Sequence, residues 1–141
     1  MTVTLYDSGA ENLVRRRVKR VQMVTDVAQQ GMVFAWQNPE DKPILVTRVV
    51  ADVVTGSTGA PTANVGVTTS ATGTASGIFA ALAIGTTGVY DHMLVAGTGA
   101  GGVHKMDAKG GTNDWLTGKE ANVAAVADMV AYVYIEYLLV E

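Results

Sequence analysis

Cysteine is absent from the 141 residues. Its absence excludes a disulfide scaffold, a Cys-based zinc site and a thiol nucleophile. Charge is scarce: Asp, Glu, Lys and Arg make up 16% of the chain, against a usual share of about 25%. A disordered chain has the opposite balance, with few hydrophobic residues and much charge, whereas 48% of this one is hydrophobic. No apolar run approaches the ~20 residues that a membrane-spanning helix needs. The opening Met1-Thr2-Val3-Thr4-Leu5-Tyr6-Asp7 has neither the basic nor the apolar region of a secretory signal. No Asn-x-Ser/Thr glycosylation acceptor occurs. The expectation is one domain, made in a cytoplasm and long enough to bury a modest single core.

The shortage of charge is local. From Val53 to Tyr90 there is no Asp, Glu, Lys or Arg at all. Two compatible readings exist. One is a set of core strands joined by small polar loops. The other is a surface facing a second protein chain, because interface cores are depleted in charge. In contrast, Arg15, Arg16, Arg17, Lys19 and Arg20 hold five of the 10 Lys and Arg residues in a chain whose net charge is −3. That cluster reads as an edge strand or helix face guarded by charge, as a grip on an acidic protein surface, or as a phosphate contact. The acidic overall balance, with no aromatics interleaved among the cations, ranks nucleic acid last.

Alternation and β-branched residues predict strands. The best defined runs from Ile44 to Thr55, after Pro43. Leu45, Thr47, Val49, Ala51 and Val53 form its expected core face. Another runs from Met129 to Val140, with both faces apolar or aromatic, as for a strand covered on both sides. Asn64–Thr69, Met32–Gln37, Ile78–Ile84 and His92–Ala96 are shorter candidates. Leu13–Ala28 fits a helix or an extended segment, and Gly118–Met129 fits a short helix or a strand. Many short strands with Gly-rich turns predict an all-β fold, an antiparallel β-sandwich or jelly-roll-like single domain over residues 31–141. Residues 1–30 differ in composition and are expected to form an N-terminal arm or peripheral segment.

Catalytic and cofactor motifs find little footing. Gly97-Thr-Gly-Ala-Gly-Gly102 fits G-x-G-x-x-G, but a dinucleotide site needs a helix opening there within a βαβ unit. His92 and His104, with Asp91 and Asp107 nearby in sequence, fall short of three or four convergent metal ligands. No Gly-x-Ser-x-Gly elbow is present, and Glu40-Asp41, the one adjacent carboxylate pair, sits in an apparent turn, Gln37-Asn-Pro-Glu-Asp-Lys-Pro43. The expectation is no catalytic residue, no cofactor and no metal.

The run Phe34-Ala-Trp-Gln-Asn-Pro-Glu-Asp-Lys-Pro-Ile-Leu-Val-Thr-Arg-Val-Val-Ala-Asp-Val-Val-Thr55 resembles small head proteins of tailed bacteriophages. Thr62-Ala-Asn-Val-Gly-Val67, Gly88-Val-Tyr-Asp91, Gly110-Gly-Thr-Asn-Asp-Trp-Leu-Thr-Gly118 and the Tyr-rich final strand extend the similarity over about residues 32–141. The resemblance implies a capsid decoration (cement) or auxiliary head protein, a homotrimer on the outside of the shell that holds major capsid subunits together. It implies a virion location after assembly in the host cytoplasm, and no membrane partner. Partner contacts with capsid or a neighbouring protomer are expected from Arg15, Arg16, Arg17, Lys19 and Arg20, and from Tyr132 and Tyr134, whose rings offer amphipathic contact area. The alternatives are a trimeric fibre, spike or receptor-binding module, and a nucleic-acid-binding accessory protein using the basic cluster.

Overall fold

The computed structural model describes residues 15–25, 31–94, 101–122 and 128–139. They form nine strands and no helix: β1 (Arg15–Met23), β2 (Met32–Gln37), β3 (Ile44–Thr55), β4 (Ala63–Thr68), β5 (Phe79–Leu82), β6 (Gly88–Asp91), β7 (His104–Met106), β8 (Trp115–Glu120) and β9 (Val130–Leu139). Every strand pair is antiparallel. One sheet has the order β1-β9-β3-β6, with β7 also pairing β3, and the other has the order β2-β8-β4-β5. The fold is an antiparallel β-sandwich. With the short β7 set aside, the first, last, third and sixth strands make one sheet, and the second, eighth, fourth and fifth make the other. That is the strand order of a jelly roll.

Alternation builds the core. Along β9, Ala131, Val133, Ile135, Tyr137 and Leu139 are buried, while the residues between them are half-buried or exposed. From the opposite sheet Val33, Phe34, Trp36, Val65, Phe79 and Leu116 meet them in one cluster. Among the described residues β9 is therefore fully buried on one face and half-buried on the other, where two covered faces were expected.

β3 also departs from strict alternation. Its buried residues are Ile44 and Val46, then Val49, Ala51 and Val53. The pairing to β9 shifts between Val46 and Arg48, leaving Thr47 as an extra residue. The Thr47 hydroxyl donates to the Glu136 carbonyl at 3.2 Å and to Glu136 Oε1 at 2.9 Å. Such a bulge moves every residue before it to the other face. Val46 is consequently in the core, and Leu45, expected there, lies opposite Leu138 on the outer face.

Arg15–Met23 is extended, not helical, and lies at the border of its sheet, paired along its whole length to β9. The segment expected to be an arm or peripheral piece thus contributes an edge strand, and it ends in the buried Met23. The proposed strand at His92–Ala96 is replaced by β6, which stops at Asp91. There the Asp91 carboxylate accepts from Met93 N–H at 3.0 Å, and Leu94 N–H donates to the Asp91 carbonyl at 2.9 Å, so His92–Leu94 turns. Residues 95 and 96 lie outside the described residues. Of Gly118–Met129, the first three residues belong to β8, Ala121 and Asn122 form a bend, and 123–127 lie outside the described residues.

The neutral stretch supplies Ala63, Val65, Ile78, Phe79, Leu82 and Ile84 to this chain's own core. Its turns are tight: Ser57 N–H donates to the Ile84 carbonyl at 3.0 Å, and a Cβ on Gly56 would meet the Gly85 carbonyl oxygen at 2.3 Å. Backbone meets backbone at that crossing, so only glycine fits.

Because the bulge sets the phase of β3, Ile44→Ala is expected to cost about 2–5 kcal/mol in denaturant unfolding. Leu45→Ala, on the outer face, is expected to cost less than half as much.

Candidate interaction surface

Residues directly opposite in an antiparallel ladder share a face. The register therefore lists what the β1-β9-β3-β6 sheet shows on its outside. One row is Arg16, Leu138 and Leu45; the next is Val18, Glu136 and Arg48; then come Arg20, Tyr134, Val50 and Asp91; the last is Gln22, Tyr132, Asp52 and Val89. Apolar and aromatic side chains alternate with ion pairs across this face. Val18 and Val89 are 63% and 69% exposed. Arg48 Nε donates to Asp91 Oδ2 at 2.9 Å, and the guanidinium holds the Asp91 carboxyl below its usual range, chiefly through that hydrogen bond. Arg16 lies 3.9 Å from Glu136.

The outer face of the second sheet is different, because the chain covers it itself. Thr117, opposite Gly66, is fully buried, and its hydroxyl donates to the Gly73 carbonyl at 2.9 Å. A Cβ on Gly66 would lie 2.7 Å from the Ala75 side chain. The segment between β4 and β5 thus covers the centre of that face, although Ala35, opposite Thr117, stays exposed, and the first sheet's outer face carries no such covering contact among the described residues.

All seven residues expected to touch a partner are on or beside that face. Arg16 and Arg20 point outward with Tyr132 and Tyr134, and the Arg20 guanidinium lies 4.8 Å from the centre of the Tyr132 ring, within cation–π range. Arg15, Arg17 and Lys19 point to the other side of β1, opposite Leu139, Tyr137 and Ile135. Arg17 donates to Glu40 Oε1 at 2.9 Å, and Tyr137 donates to the same oxygen at 3.3 Å. Arg15 through Arg20 are nonetheless all exposed, because β1 is an edge. Arg16 and Arg20 look separate from the tyrosines in the sequence and share one face with them in the fold.

Sequence reasoning missed a polar knot beneath this surface. Asn38 is fully buried; its amide donates to the Lys42 carbonyl at 3.0 Å and the Asp107 carbonyl at 2.8 Å, and its Oδ1 accepts from Glu40 N–H at 2.9 Å. Asp114 Oδ2 accepts from Gln37 Nε2 at 2.6 Å and Gly110 N–H at 2.8 Å, which holds its carboxyl below the ordinary range. The knot fixes the turn that carries Glu40, and with it Arg17. Its two halves are the Asn-Pro turn and the Gly-Gly-Thr-Asn-Asp-Trp run, so the signal was present as two turn motifs without evidence that they touch.

The two histidines come together, with ring centres 6.0 Å apart. His92 is fully buried; its Nδ1 accepts from Val49 N–H at 2.9 Å, so the ring proton sits on Nε2, 3.1 Å from the Gly102 carbonyl. Both nitrogens are therefore committed to backbone. Burial, and secondarily His92, push the His104 pKa down. Among the described residues no group of three or more His, Cys, Asp or Glu side chains is placed to hold a metal. Gly101 and Gly102, the described end of the glycine-rich run, lead into β7, a strand rather than the helix a dinucleotide site requires. No helix among the described residues is long and apolar enough to cross a membrane.

No protein-family model matches the chain, and no curated protein matches it. Among solved structures the chain is similar to one described as a cyanophage Pam1 capsid asymmetric unit. The identity is 23%, 91% of this chain and 86% of that chain are covered, and the TM-score is 0.49.

His104 makes stability depend on pH. His104 takes up a proton more readily in the unfolded chain than in the fold. Stability is therefore expected to fall as pH drops below about 6.5, and to level off once the folded His104 is also protonated. Melting curves from pH 8 to 5 check this, and His104→Gln is expected to flatten the decline.

Proposed function

We propose that this chain is a non-enzymatic structural protein of a phage virion that binds the outside of the capsid and bridges neighbouring major capsid subunits as a homotrimer. The observation that carries the reading is the asymmetry between the two sheet faces. On one, the chain's own segment covers the centre, around Gly66 and Thr117. The other carries no such covering contact among the described residues and shows Val18, Val50, Val89, Tyr132, Tyr134 and Leu138 among charged side chains. A single exposed valine means little, but a sheet-wide face of this composition is costly to keep in water and fits a partner surface. The resemblance of Phe34–Thr55 and the final strand to phage head proteins supports the choice of partner.

The mechanism is added interface. Each protomer contributes a modest contact, and a trimer presents three at once, so that the second and third engagements occur at high effective concentration. A closed ring uses each protomer surface once and leaves no open end. Tyr134 lies centrally on the face, flanked by Arg20 and Val50, where an aromatic anchor contributes most. Charge on the face serves orientation: Arg48–Asp91 and Arg16–Glu136 are already paired within the chain, so covering those two pairs costs less than burying lone ions, and Arg20 and Asp52 on the same face are the charges that a partner would have to meet.

Co-sedimentation with assembled phage capsids tests the reading, together with light scattering for the trimer. Tyr134→Ala is expected to weaken capsid binding about 10-fold or more, equivalent to at least ~1.4 kcal/mol, while the melting temperature changes little. A monomer that stays in the supernatant would refute the proposal.

A further inference from the structure

β1 differs from an ordinary charged edge. A strand guarded only against pairing needs cations on its solvent face. Here they occupy both faces: Arg16 and Arg20 on the outside, and Arg15, Arg17 and Lys19 on the side of the opposite sheet. β1 pairs with β9 along one border, and no described strand pairs along its other border. Its six residues from Arg15 to Arg20 are all exposed. The charges forbid the simplest self-pairing, β1 of one copy against β1 of another, because like charges would then face each other across the ladder. The same charges favour a strand that brings carboxylates on both of its faces.

Beyond Arg20 the character of β1 changes. Val21, Gln22 and Val24 line a groove of about 300 Å³ with Met32, Val33, Phe34 and Ala35 of β2 and with Ala71 and Thr72. β2 is itself the border strand of its sheet, so the groove lies on the flank of the sandwich where both sheets end. Met32 and Phe34 are buried in the chain, and Val24 is 47% exposed. A basic edge thus runs into an apolar recess along one continuous strand.

We propose that β1 accepts an extended acidic segment of a partner protein as an added strand, with one bulky apolar side chain of that segment seated in the groove. The inference rests on the capsid reading for the origin of the partner and goes beyond it in the binding mode. Main-chain hydrogen bonds along the free border supply affinity, and the cations and the groove supply selectivity, the usual division in strand addition. Five cations distributed over both faces allow an alternating acidic segment to meet guanidinium or ammonium groups whichever face its carboxylates take. Arg17 and Arg16 would exchange their contacts to Glu40 and Glu136 for, or share them with, the incoming carboxylates.

The test uses the full chain and three fluorescent ten-residue probes: a peptide alternating Glu with Thr or Val and ending in Leu, the same peptide N-methylated at alternate residues, and oligo-dT. Fluorescence anisotropy and hydrogen exchange of β1 amides are the readouts. The expected result is binding of the acidic peptide with slowed exchange across Arg15–Met23, at least 10-fold weaker binding of the N-methylated peptide, and loss of binding in Arg15→Glu/Lys19→Glu/Arg20→Glu, which reverses charge on both faces. The milder Arg15→Gln/Lys19→Gln/Arg20→Gln variant, with its melting curve, guards against misfolding and is expected to weaken binding several-fold. Equal binding of both peptides, no binding of either, or no protection of β1 overturns strand addition. Tighter binding of oligo-dT assigns the edge to nucleic acid and also overturns it. Capsid co-sedimentation runs in parallel: failure of the native chain there refutes the capsid reading while the peptide result still decides the binding mode.

Discussion

The ladder between β3 and β9 is the interaction on which the rest of the structure depends. β9 is hydrogen-bonded on both borders, to β1 and to β3, and β3 in turn carries β6 and β7. Both are long strands, so a single register error between them would invert ten or more side chains from core to solvent. The bulge at Thr47 resolves a conflict within that ladder. It lets Ile44 and Val46 face inward at one end while Val49, Ala51 and Val53 do so at the other. The hydroxyl of Thr47 satisfies itself on Glu136, and the ladder resumes on the correct face.

That ladder also determines what the outside of the sheet looks like. With the inner face committed to aliphatic residues, the alternate positions Tyr132, Tyr134, Val50 and Asp52 must face away. No described segment crosses over them. On the second sheet, the link between β4 and β5 crosses over Gly66 and Thr117, and small residues there allow its close approach. The difference between the two faces therefore comes from chain connectivity as much as from residue type. It leaves the outer face of one sheet without a covering segment among the described residues and covers the centre of the other.

The basic run gains meaning in the same way. On a helix, five cations in six residues would crowd one end of a cylinder. On an edge strand they spread over two faces, about 3.3 Å apart along the chain. Two of them are partly tied down, Arg17 by Glu40 and Arg16 by Glu136. Glu40 is itself held by the Asn38 and Asp114 knot, so the position of a surface arginine traces back to a buried amide.

Some of this was legible from residue order alone. The β-branched, glycine-punctuated composition specified an all-β sandwich, and Met32–Gln37, Ile44–Thr55 and the final strand stand where alternation places them. Those features are local, since propensity and period act over a few residues. The phase of β3, the end of β6 at Asp91, the pairing of His92 with His104 and the union of Arg16 and Arg20 with the tyrosines were not legible. Each depends on a partner distant in sequence: Thr47 on Glu136, His92 on Val49 and Gly102, Arg20 on Tyr132. Arg15–Met23, the described strand within Leu13–Ala28, shows the limit most plainly, because its residues fit helix and strand alike, while residues 13, 14 and 26–28 lie outside the described residues. Only the open border of β9 decided for the strand, by offering hydrogen-bond partners that no local pattern could reveal.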